Sequence, residues 1–165
     1  MKAINVKDSR MYSIVALYDL HTDFFPKAIA GISDVDAHNR LHTKANHVAW
    51  LTGSLVQQRF EMAKDFGYDK KSSADELFKN NKGIQDEVQY PSLEIYKKDW
   101  ETVTPFLREA LLNVSAEILD KEIDMGGMKM PLYDLVSFII YREANCIGQI
   151  ALWRRLLGYD AMKYM

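Results

Sequence analysis

Arg142 and Cys146 stand four residues apart in the segment YREANCIGQIALWRRLLGYD, residues 141–160. On a helix that spacing puts both on one face, a single turn apart. They share the face with Leu135, Ile139 and Trp153, so a guanidinium and a thiol point where apolar side chains are buried. A thiolate can serve as nucleophile or metal ligand, and a guanidinium can hold an anion through its fixed fork of N–H donors. Histidines at 21, 38, 42 and 47 add imidazoles. His21 falls on the inward stripe of the first helical segment, His38 and His42 in the connection after it, and His47 at the start of the second. Each is read first as a core-edge or helix-end imidazole with a hydrogen-bond partner. The chain has no G-x-S-x-G, no CxxC and no glycine-rich phosphate loop.

Side chains so placed need long helices to hold them. The chain has only 4 prolines and 8 glycines, so helices are seldom interrupted, and apolar residues recur at helical spacing in four long segments. The first, residues 9–29, turns Met11, Ile14, Tyr18, His21, Phe25 and Ala28 to one face, with Pro26 expected to kink its end. Ser33 is an N-cap candidate for a short turn, with Asp36 three residues on. The second, residues 44–66, carries Val48, Leu51, Leu55 and Met62, with Trp50 and Phe60 on its flanks and Gly67 as its stop. A polar stretch follows in which SADELF forms a turn or two, and its length allows a crossover. The third segment starts near Pro91 or Ser92 and buries Leu93, Tyr96, Trp100, Val103, Leu107, Ala110 and Val114, with a bend expected at Pro105. SAEILDKEI begins another short turn, and DMGGMKM reads as a Gly-Gly turn packed as a loop. The fourth, residues 131–157, takes Pro131 at its first position and stops at Gly158. Its inward set is Leu132, Leu135, Ile139, Arg142, Cys146, Gln149, Trp153 and Leu156. Gly148 is read as a site of close helix approach, and the three tryptophans as core. The economical fold is all-α: one domain over residues 1–165, an antiparallel four-helix bundle with short extra helices in the loops.

Composition narrows the partners. The 165 residues hold 48% hydrophobic and 27% charged side chains, which suits a globular domain. Acidic side chains number 23 against 21 basic, a net charge of -2, and the densest basic stretches, Lys70-Lys71 and Arg154-Arg155, are solvated pairs. No basic face for nucleic acid is expected. A single cysteine forms no intrachain disulfide and fits a reducing compartment. The N-terminus lacks a signal-peptide pattern and no run reaches the ~18 apolar residues of a membrane span, so a cytoplasmic protein without membrane contact is expected.

Two motifs carry a resemblance. NHVAWLTGSLVQQRF on the second long helix and YREANCIGQIALWRRLLG on the fourth resemble the DinB-like (YfiT-like) four-helix bundle superfamily. Its members carry N-H-x-x-W-x-x-G-H-L and H-E-A-x-H-x-G-Q-I at these places, followed by arginines and L-G. The order of elements matches over nearly the whole chain. The resemblance implies a divalent metal, often zinc or nickel, held by three histidines, one from the second helix and two from the fourth at i and i+4. It also implies a homodimer; Leu17, Phe24 and Phe138 lie outside the inward stripes and leave room for one. This chain departs at each ligand position: Ser54 stands for the first histidine, Arg142 and Cys146 for the other two. Arginine has no lone pair to give, and a neutral hydroxyl is a poor ligand.

The pocket set is therefore Ser54, Arg142 and Cys146, with His47 and His21 as neighbours. Three readings stay open. In the first, the metal site has degenerated, no cofactor is needed, and the pocket binds a partner or a small anionic ligand near Arg142. Here Arg142 needs an acidic or carbonyl partner for compensation, with Glu61, Asp19 or Asp23 as acidic candidates. In the second, Cys146 is the nucleophile of a thiol-dependent S-transferase or hydrolase, its pKa lowered by Arg142; an inert buried thiol is the preferred alternative. In the third, Cys146 joins His47 or His21 in a relocated metal site. Enzymatic activity is not the expectation, because the ligand histidines are missing.

Overall fold

The computed structural model describes residues 4–124 and 126–164. Met125, within the expected Gly-Gly turn, lies outside the described residues, as do residues 1–3 and 165. Seven α-helices, one short 3-10 turn at Lys79–Asn81 and one two-stranded hairpin are the regular elements of the described residues: α1 Met11–Ile29, α2 Asp34–Ala37, α3 Val48–Asp65, α4 Asp75–Phe78, α5 Leu93–Asn113, α6 Ala116–Leu119, β1 Glu122–Asp124, β2 Lys129–Pro131 and α7 Leu132–Leu156. Among the described residues no helix is long and apolar enough to cross a membrane.

Local chemistry sets the ends. Ser33 caps α2 by accepting from the Asp36 amide at 3.1 Å and donating to the Asp36 carboxylate at 2.8 Å. Ser92 caps α5 by accepting from the Ile95 amide. The third element starts at Val48 rather than at residue 44, because His47 is extended and its Nδ1 accepts the Trp50 amide at 3.1 Å. Gly67 and Gly158, both at positive φ, end α3 and α7. Pro26 does not stop α1, which runs on to Ile29, and α5 runs through Pro105. Pro26 lacks the N–H that would bond the Thr22 carbonyl. That freed carbonyl lies 3.5 Å from Trp100 Nε1, which donates toward it from α5.

The expected Gly-Gly turn is the tip of a hairpin that the helical pattern did not suggest. Ile123 pairs with Met130, and the Asp124 carboxylate accepts the Gly127 amide at 2.7 Å. Met128 is exposed rather than packed as a loop residue, and Pro131 closes β2 instead of opening the helix.

Four long helices surround one apolar cluster, with α1 and α3 each packed against α5 and α7. Hydrogen bonds give the directions. Tyr18 donates to the Thr104 carbonyl at 2.9 Å, and the Lys7 amide to the Leu112 carbonyl, so α1 and α5 are antiparallel. His21 meets Glu143 while Arg154 reaches the Ala28 carbonyl, so α1 and α7 run parallel. Gly53 faces Tyr96 and Arg59 reaches Thr104, so α3 and α5 also run parallel. The antiparallel expectation therefore fails for two neighbouring pairs. A parallel pair needs a connection that travels back along the helices, and residues 66–92, with α4, make it. Gln57 ties this crossover to α3, donating to Asp75 at 3.0 Å and accepting from Ser72 at 2.6 Å.

Candidate functional site

Arg142 projects from α7 toward α3. Its Nη2 donates to the Ser54 hydroxyl at 2.6 Å, and its Nη1 donates to Gln58 Oε1. The two residues that the sequence grouped thus touch, and Arg142 finds a carbonyl partner in Gln58, as expected, but none of the acidic candidates. None of Glu61, Asp19 or Asp23 pairs with it. Asp19 instead takes Arg108 at 2.7 and 2.8 Å. Gln58 lies one turn after Ser54 and reaches the guanidinium first. Beside this contact is a cavity of about 260 Å³ walled by Trp50, Phe78, Leu135 and Phe138, with Gln57, Glu61, Asn81 and Lys82 also lining it. Asn80 and Asn81 take positive φ, which asparagine tolerates better than most residues, and this turn brings Asn81 and Lys82 to the cavity.

Cys146, one turn beyond Arg142, is buried and does not line the cavity. Burial raises its pKa; the nearby Arg142 charge lowers it by less, and the Glu143 charge adds to the rise. The thiol is therefore held away from the thiolate form that a nucleophile needs. His47 does not line this cavity. As the cap of α3 its Nδ1 lone pair is spent on the Trp50 amide, and its ring packs on His38 and Tyr90. Burial, helped by the charges of His38 and Arg40, lowers its pKa to about 4, so it stays neutral at physiological pH.

His21 belongs to a second cluster that sequence reasoning missed. Arg59 and Glu143 are both fully buried and form a two-pronged ion pair, Nε to Oε1 at 2.6 Å and Nη2 to Oε2 at 2.9 Å. His21 Nδ1 lies 3.2 Å from Oε2, and because a carboxylate only accepts, this nitrogen carries the proton. Arg59 Nη1 donates to Thr22 at 3.0 Å and Thr104 at 2.8 Å. The guanidinium carbon lies 3.3 Å from the Trp100 ring centre and 4.0 Å from that of Tyr18. Burial opposes the charge on Glu143, but the Arg59 charge and hydrogen bonds, with those of His21, outweigh it and hold the carboxyl below its ordinary range. Every oxygen of Glu143 is occupied, so the cluster joins α1, α3, α5 and α7 without offering a reactive group. The signal was present: Ile139, Glu143, Cys146 and Ile150 keep the 4-3-4 spacing of the buried face of α7, which excludes exposed Gln149 and Leu156.

Arg154 was grouped with solvated charge and is buried. It donates to the carbonyls of Ala28 at 3.0 Å, Ala30 at 2.7 Å and Asp160 at 2.7 Å, satisfying the end of α1. Trp100 and Trp153 are core, whereas Trp50 is half-buried in the cavity wall.

A divalent metal does not fit these residues. The Ser54 oxygen already accepts from Arg142, and a guanidinium brings positive charge where a cation would sit. The relocated set is not assembled either, since His21 is committed to Glu143 and His47 to its helix end. Among the described residues no three His, Cys, Asp or Glu side chains gather as a metal-holding group. No protein-family model matches the chain, and no curated protein matches it in sequence.

Proposed function

We propose that the chain is a four-helix bundle of the DinB-like (YfiT-like) type whose metal site has been replaced, and that it binds a small molecule between α3 and α7 without metal catalysis. One observation carries the reading. Arg142 and Ser54, at two of the three positions where the resemblance expects histidine ligands, bond to each other beside a cavity of about 260 Å³. The pocket keeps the place that the resemblance gives the metal, but it offers hydrogen-bond donors instead of lone pairs. The alternative, a thiol-dependent S-transferase or hydrolase using Cys146, finds less support, because that thiol is buried and its pKa raised. The proposed assembly is a homodimer, supported by exposed Phe138, Tyr141, Leu152 and Leu156, which share the outer face of α7.

Elemental analysis tests the reading. Protein expressed with zinc and nickel in the medium, then dialysed against EDTA, is expected to retain far less than one equivalent of either. Its melting temperature is expected to be the same before and after dialysis. One equivalent retained against the chelator, with a melting temperature that drops when it is stripped, overturns the proposal.

A further inference from the structure

We infer that the pocket between α3 and α7 takes a small organic monocarboxylate, its carboxylate on Arg142 and its apolar body against Trp50, Phe78, Leu135 and Phe138. The inference rests on the ligand-binding reading above and names the class of ligand.

Charge pairing makes the first argument. Arg10, Arg40, Arg59 and Arg108 all reach carboxylates, and Arg154 is spent on backbone carbonyls. Arg142 is half-buried yet, among the described residues, meets only the neutral oxygens of Ser54 and Gln58. Those bonds use one N–H from each terminal nitrogen of its five N–H groups. A guanidinium fixed by two neutral acceptors is oriented without being neutralised, which is how a receptor for an anion is built.

The wall supplies the second, independent argument. Trp50 Nε1 is buried and finds no partner among the described residues. Indole N–H only donates, and a buried donor left unpaired is unfavourable. Its side chain lines the same cavity as Arg142. A guanidinium with unspent N–H groups in the pocket, and an unpaired indole N–H buried in its wall, favour a ligand that accepts and does not donate. Among the lining residues Lys82 and Glu61 carry opposite formal charges, which leaves Arg142 as the net charge of the pocket.

Size and lining choose among anions. Four large apolar side chains exceed what a bare inorganic anion can use. A cavity of about 260 Å³ lies below the roughly 300–1,000 Å³ that accommodates drug-sized molecules. A doubly charged phosphate has more oxygens than Arg142 and one indole N–H can satisfy in so apolar a space. A single planar carboxylate matches the fork.

Calorimetric titration of the full chain with phenylacetate, phenylacetamide, acetate and phenyl phosphate tests this. Phenylacetate is expected to bind at least about tenfold more tightly than each of the others. Arg142→Gln, checked for folding by circular dichroism, is expected to abolish the preference of acid over amide. Trp50→Phe keeps an aromatic wall while removing the N–H and part of the ring; it is expected to weaken the acid several-fold more than the amide. Equal binding of amide and acid, a preference that survives in folded Arg142→Gln, tighter phenyl phosphate, or no binding by any probe overturns the inference. An amide that binds as well as the acid leaves the ligand-binding reading standing. A retained equivalent of metal removes that reading itself, so the two failures are distinguishable.

Discussion

Glu143 concentrates more of the fold on one side chain than any residue of the pocket. Its carboxylate meets Arg59 from α3 and His21 from α1, all within the core. Removing one member of a buried ion pair leaves the other charged and uncompensated, at a cost of about 3–5 kcal/mol. Glu143→Gln is therefore expected to lower stability by about that much, read as a shift of the urea midpoint at pH 7 with unchanged slope. The pH dependence follows from the depressed pKa. A carboxyl held below its ordinary 4.5 stabilises the fold above that value, and the contribution is lost as pH falls through the folded-state pKa. The gap between wild type and Glu143→Gln should thus be widest near neutrality and narrow below about pH 4.5. A gap that stays constant down to pH 3 would show that charge on Glu143 is not the stabilising factor. The sequence made Glu143 legible by spacing alone, since it sits between Ile139 and Cys146 on the buried face. Its charge argued the other way, and a single chain does not say which distant arginine will neutralise it. Arg142 was legible as a pocket residue through its motif. Its partner was not, because Gln58 and Glu61 are one turn or less apart and only the rotation of α3 decides between them.

At the scale of elements, glycines decide how closely helices approach. Gly53, in the middle of α3, leaves room for Phe78 of α4 and Tyr96 of α5. A methyl group there would lie 2.5 Å from Phe78 Cζ and 2.5 Å from the Tyr96 hydroxyl. Gly148, the glycine expected to do this, is exposed on α7 and a methyl group would meet nothing within 4 Å. Opposite outcomes follow. Overpacking costs about 1–3 kcal/mol, against which a helical alanine recovers up to about 1, so Gly53→Ala is expected to be net destabilising. Gly148→Ala should be stabilising by about 0.5–1 kcal/mol through helix propensity alone. Paired thermal melts decide it: a destabilised Gly148→Ala, or a neutral Gly53→Ala, contradicts the packing described. The four long helices were legible because their apolar stripes are long and regular. The hairpin was not, since three-residue strands are too short to show alternation. Nor was the parallel course of α3 and α5, because amphipathic spacing fixes which face is buried and carries nothing about direction.

For the whole molecule the outer face of α7 sets the proposed assembly. Phe138, Tyr141, Leu152 and Leu156 are each more than half exposed there. The proposed homodimer would place the same face of a second copy against it, as a two-fold contact requires. Light scattering during size exclusion should then give twice the 19.1 kDa of one chain. Leu152→Glu should shift the protein to the single-chain mass, since a carboxylate from each copy would be buried near its mate. A native protein that runs as one chain at all concentrations removes the dimer. Phe138 makes the result bear on function, because it belongs both to this face and to the cavity wall. Leu152 lies fourteen residues further along the helix, about 21 Å away. Its substitution should therefore leave phenylacetate affinity unchanged if each pocket is complete within one chain. A loss of affinity that accompanies monomer formation would instead mean that the second copy closes the pocket over Phe138.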